Sequence, residues 1–120
     1  MDEKKDNPTK VPIDLESALD RTGNDEEFLY ELINIYVDDY EDKKEELKSA
    51  IEEENYSQIQ EIGHNLKGSS ANLSLTYMQA ASLEMEMAGR EKNIEKAKEV
   101  LNKLESEFEL VKDHFADKLV

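Results

Sequence analysis

The stretch IEKAKEVLNKLESEFELVKDHF, residues 94–115, carries Ile94, Ala97, Leu101, Leu104, Phe108, Val111 and Phe115 at unbroken steps of three and four. That spacing is the period of an α-helix, so the seven side chains share one stripe about six turns long. So regular a stripe predicts a helix packing at a shallow angle in a bundle. A dimeric coiled coil would account for this stretch alone. It would leave the apolar faces of the remaining helices unburied, so one intramolecular bundle is the simpler solution.

Working back from it, Asn93 is the expected cap of this helix and Gly89 the expected end of the one before, about Thr76 to Ala88, with Leu75, Met78, Ser82 and Met85 on one face. Met87 is read with Met78 and Met85 as core filler. A break at Leu73-Ser74-Leu75 separates it from a helix over about Tyr56 to Leu73, capped by Asn55. Upstream, Phe28, Leu29, Leu32, Ile33, Tyr36, Tyr40, Leu47 and Ile51 mark a long helix, with lysine stems at Lys43 and Lys44 covering the turn that the pattern skips. Asn24 followed by Glu27 reads as its capping box. A short helix from about Asp14 has Ile13, Leu15, Ala18 and Leu19 as its apolar side and Gly23 as its stop. Residues 1–12, polar and containing Pro8 and Pro12, read as a flexible tail. The expected fold is all-α: an antiparallel four-helix bundle with a short extra N-terminal helix, occupying residues 13–120.

Composition agrees. The chain has 120 residues, enough for one core. It lacks cysteine, which excludes disulfides, thiolate metal sites and thiol nucleophiles. A net charge of −15 argues against a nucleic-acid partner. No apolar run reaches the roughly 18 residues of a membrane span, and Met1 to Val11 has no signal-peptide core. The expectation is a cytoplasmic monomer.

The chemistry concentrates in Glu61-Ile62-Gly63-His64-Asn65-Leu66-Lys67-Gly68-Ser69-Ser70-Ala71-Asn72-Leu73. On a helical wheel Ile59, Ile62, Leu66, Ser69 and Leu73 cluster as the core face. His64 lies nearly opposite, beside Gln60, Lys67, Gly68 and Ala71, and is expected to be exposed. Lys67, at i+3, can bring an ammonium to an anionic group on the imidazole, without a part in holding the fold. Gly68, at i+4, costs roughly 1 kcal/mol of helix stability relative to alanine, yet it removes the side chain best placed to obstruct a partner approaching the ring. A lone surface histidine has no function as a rule; the lysine and the cleared flank set this one apart.

The run His64 to Leu73 resembles the signature of histidine-containing phosphotransfer (HPt) domains, H-x-L-K-G-[SA]-[SA]-x-x-L-G. The resemblance covers about residues 14–118 and includes Met85-Glu86, which is similar to the family's usual Leu-Glu. It implies that His64 is phosphorylated on a ring nitrogen, that Lys67 helps neutralise the phosphoryl group and that Gly68 gives access. It also implies that Glu86 lies beside the histidine and can hydrogen-bond it. Ser74 departs from the pattern, standing where the family usually has the glycine of the interhelical turn. The implied activity is that of a phosphocarrier, not an enzyme in its own right, passing a phosphoryl group between receiver-domain aspartates of a hybrid histidine kinase and a response regulator. No cofactor of its own is expected; Mg²⁺ is expected in the partner receiver domain.

Three rivals are weaker. A di-metal carboxylate bundle would use Glu61-Ile62-Gly63-His64 as Glu-x-x-His, but the other histidine, His114, follows Val111 at i−3 and lacks the glutamate. A histidine-kinase dimerisation domain would need a nucleotide-binding domain after it. A non-catalytic helical adaptor or a degenerate HPt domain would lack labelling by a phosphorylated receiver.

Overall fold

The computed structural model describes residues 10–119. Five α-helices follow one another: α1 (Leu15–Arg21), α2 (Glu26–Glu52), α3 (Tyr56–Asn72), α4 (Thr76–Arg90) and α5 (Ile94–His114). The last four form the bundle. Their connections are three residues each, too short for anything but antiparallel neighbours. The packing runs α2 to α3, α3 to α4 and α4 to α5, and α5 closes the ring against α2. Among the described residues no helix is long and apolar enough to cross a membrane.

The helices form where the apolar period and the caps agree. Asp14, Asp25, Asn55 and Asn93 each accept a hydrogen bond from a backbone N–H of the first turn that follows, satisfying a donor the helix leaves unpaired. The core is continuous across the bundle: Leu29, Ile33, Tyr40 and Leu47 of α2, Ile59 and Leu66 of α3, Met78 and Met85 of α4, and Leu104 and Phe108 of α5 are almost fully buried. Each such side chain stabilises the fold by about 1.5–3 kcal/mol through burial. Two tyrosines tie the helices laterally. The Tyr36 and Ser70 hydroxyls bond at 2.8 Å within the core, and Tyr40 donates to Glu105 at 3.0 Å while its ring lies 4.1 Å from that of Phe108.

Several local expectations are corrected. The cap of α2 is Asp25, not Asn24, because Gly23 and Asn24 both take left-handed φ (66° and 63°) and the chain turns into the helix one residue later. Gly89 does not end α4 but lies buried inside it: a Cβ there would collide with the backbone of Gln60 and Tyr56 on α3. The buried face of α3 is rotated from the wheel toward Gly63 and Ser70, and Ser69 is only partly buried. Packing of α4 on that side explains the rotation. Leu15, Phe28 and Met87, read as core residues, are 40% exposed or more. The tail expected over residues 1–12 lies mostly outside the described residues. Within them, Pro12 is buried and Lys10 pairs with Glu107 at 2.6 Å.

Ser74 sits at the turn between α3 and α4 with a left-handed φ of 56°. Its N–H bonds Ala71 O and that of Leu75 bonds Ser70 O, the pattern that closes a helix C-terminus. Its hydroxyl bonds Ser17 at 3.0 Å and its carbonyl accepts from Asp14 N at 2.9 Å. The serine therefore takes the backbone shape a glycine would take, and adds a tie that docks α1 on the turn.

Candidate functional site

His64 lies on the solvent side of α3, its side chain 64% exposed. Beneath it, Glu86 projects from α4 with its side chain only 7% exposed. One carboxylate oxygen, Oε2, is 3.1 Å from His64 Nδ1 and 3.4 Å from an Arg90 guanidinium nitrogen; the other, Oε1, is 2.7 Å from Lys67 Nζ. A buried carboxylate is costly unless paired, and here two cations and an imidazole converge on it. The carboxyl is held below its usual range, chiefly by Lys67 and further by His64, against the opposing effect of burial.

An ionised carboxylate can only accept hydrogen bonds. In the neutral ring the Nδ1–Glu86 contact therefore places the proton on Nδ1 and leaves the lone pair on Nε2. The arrangement can do three things chemically. It selects one tautomer of the imidazole whenever the ring is neutral, holds the ring in one orientation, and keeps two cations within reach of an anion that arrives on the exposed edge.

The flank beyond His64 is open. Among the described residues, nothing beyond its chain neighbours and the backbone of α3 lies within 4 Å of where a Gly68 Cβ would be. On the other side Ser57, Gln60 and Glu61 frame a shallow pocket of about 440 Å³ with His64 and Glu86. The residues singled out from sequence, His64, Lys67, Gly68 and Glu86, thus come together at one site. Lys67 differs from expectation in one respect: it is the partner of a buried carboxylate, so the fold draws on it as well. Sequence reasoning missed Arg90 and Gly63. Arg90 was legible as the i+4 partner of Glu86. Gly63 is a second helical glycine, adjacent to the histidine, and its buried position depends on where α4 packs.

His64 faces away from the bundle interior, where a di-metal carboxylate site would need it. Among the described residues no group of three or more histidine, aspartate or glutamate side chains could hold a metal ion. His114 is exposed near the end of α5, its ring edge-on to Phe115 at 4.9 Å.

A family model described as Hpt domain matches residues 31–114. No curated protein and no solved structure matches the chain.

Proposed function

The chain belongs to the Hpt domain family, whose members carry phosphoryl groups on histidine in two-component phosphorelays, and we propose that His64 is the residue that carries it here. The observation behind this reading is the contact of His64 Nδ1 with the buried Glu86 carboxylate in a side chain that is 64% exposed, which leaves Nε2 of the neutral ring as the nucleophile. Nε2 attacks the phosphorus of a receiver-domain aspartyl phosphate. A phosphorus–nitrogen bond forms as the aspartyl oxygen–phosphorus bond breaks, and the aspartate leaves as a carboxylate. The reverse step delivers the phosphoryl group to a second receiver. Charge in such transfers spreads over the equatorial oxygens, so positioning and nearby cations do most of the catalytic work. Lys67 and Arg90, held on Glu86 at rest, supply that charge. The Mg²⁺ belongs to the receiver domain, and the protein acts as a phosphocarrier between a hybrid kinase and a response regulator.

A docking surface for the receiver adjoins the site. Phe28, Leu32 and Ile35 of α2, Ser69 and Asn72 of α3 and Leu73 just after it line a groove of about 500 Å³. His64, Gly68 and Asn72 follow one another at steps of four along α3, so the groove wall continues the ridge that bears the histidine, within about 12 Å of it. The exposed Glu31, Asp38 and Asp42 share the Ile35 face of α2, while Arg21 and Asp39 line the groove itself; the acidic face suits a receiver with an apolar helix bordered by basic residues.

The test is incubation with a phosphorylated receiver domain. Acid-labile, alkali-stable phosphate should appear on the protein, and His64→Gln should retain the helical circular-dichroism spectrum and lose all of it. Labelling that persists in that mutant would sink the assignment, and a wild-type protein that takes no label would be a helical adaptor.

A further inference from the structure

We infer that Gly63 is a positioning residue for the phosphoacceptor: by letting α4 seat backbone to backbone on α3, it sets the distance at which Glu86 holds the His64 ring. The inference rests on the reading of His64 as phosphoacceptor and adds to it a residue that touches neither substrate nor reacting atoms.

Gly63 is buried and immediately precedes His64. A Cβ built on it would lie 2.5 Å from Glu86 N, 2.8 Å from Glu86 Cα and 3.0 Å from the Met85 carbonyl carbon. All three are backbone atoms, so no side chain can swing aside and only movement of a helix would relieve the collision. The residue struck is the one whose carboxylate holds the histidine. One turn along, Gly89 makes the reciprocal approach to the backbone of Gln60 and Tyr56. Residues 60–63 and 86–89 therefore touch over a single turn, directly beneath the site.

The His64–Glu86 bond, at 3.1 Å, is already near the long end of the usual N–H···O range, about 2.7–3.2 Å. A separation of a few tenths of an ångström would take it past that range. The ligands of the carboxylate would not be affected equally. Lys67 and His64 ride on α3, whereas Arg90 rides on α4 with Glu86. Moving α4 outward weakens the first two contacts and spares the third, so the carboxylate is left to the arginine and the imidazole is released. The ring proton is then free to occupy Nε2, blocking the lone pair the reaction needs.

The experiment reads the ring directly, by ¹⁵N NMR of the unphosphorylated protein at a pH above the ring's titration, together with the rate of His64 labelling by the small donor phosphoramidate. Wild type should show the Nδ1–H tautomer. Gly63→Ala should show a mixture and label several-fold more slowly. In a Glu86→Ala background Gly63→Ala should change neither readout further, because the two residues act on one contact. A wild-type tautomer in Gly63→Ala, or full additivity with Glu86→Ala, overturns the inference. If Gly63→Ala does not fold, Glu86→Asp withdraws the carboxylate while leaving the helix contact intact; it should reproduce the mixed tautomer, and an unchanged Nδ1–H signature there overturns the inference as well. A wild-type protein that shows these ring shifts but takes no phosphoryl group overturns the phosphoacceptor assignment while the positioning of the ring stands.

Discussion

Gly68 is the residue at which stability and transfer are expected to part. It is exposed, lies inside α3 and has open space where a side chain would begin. Gly68→Gln should leave the melting temperature unchanged or raise it, since replacing a helical glycine is worth up to about 1 kcal/mol. The same side chain would project over the His64 ring and sharply reduce transfer from a phosphorylated receiver; Gly68→Ala should fall between. Unfolding by Gln, or normal transfer, would refute the role in access. Glu86 carries the pH dependence. Its folded carboxyl titrates below the ordinary value of 4.5, so the unfolded chain binds the proton more readily and stability rises with pH across that window. The contribution is complete above about pH 4.5 and lost as pH falls through the lowered value. Chemical denaturation of wild type against Glu86→Gln should show the wild type losing stability relative to the variant on acidification over that window. A constant difference down to pH 3 would show the carboxylate to be uncoupled from folding.

Among the elements, α2, α3 and α4 all end the same way: Glu54, Ser74 and Lys92 take left-handed φ of 53–56°, and the next residue bonds back to Ala50, Ser70 or Ala88. The closing conformation is one that costs an L-residue roughly 1–2 kcal/mol, while glycine adopts it freely. Lys92 is exposed at the tip of its turn. Lys92→Gly is expected to stabilise the protein by roughly 0.5–1 kcal/mol, after allowing for the added freedom of the unfolded chain, and to raise the melting temperature by a few degrees. Ser74→Gly should gain less, because it forfeits the hydroxyl bond to Ser17. Equal gains at both positions would mean that this bond contributes nothing to holding α1.

For the whole molecule, the proposed function puts the chemistry and the docking of a receiver on different parts of the outer surface. Ile35 is 64% exposed on the groove wall, away from Glu86 and the ring it holds. Ile35→Gln should change stability by no more than about 0.5 kcal/mol. Transfer from a receiver should fall several-fold, while direct labelling of His64 by phosphoramidate stays at the wild-type rate. A parallel loss in both assays would place Ile35 in the chemistry, and no loss in either would remove the groove from the docking surface. With a net charge of −15, docking of a basic-rimmed partner should also weaken as salt is raised.

The helical class, the number of helices and the outward-facing histidine were legible in the sequence because each rests on local order. A 3–4 stripe such as Ile94 to Phe115 specifies a helix and its buried face without reference to any neighbour, and the wheel alone turns His64 outward. What only the tertiary structure decided is what depends on a second helix arriving. Gly89 looked like a terminator because glycine ends helices; its task, close approach to Gln60, exists only once α3 and α4 are paired. The wheel placed Ser69 in the core and missed Ser70, since the bearing of a helix is set by what packs on it. Lys67 and His64 reach across to Glu86 because Gly63 and Gly89 carry no side chains to hold the two backbones apart, and the approach of Gly63 to Glu86, 23 positions on, is one that no periodicity records.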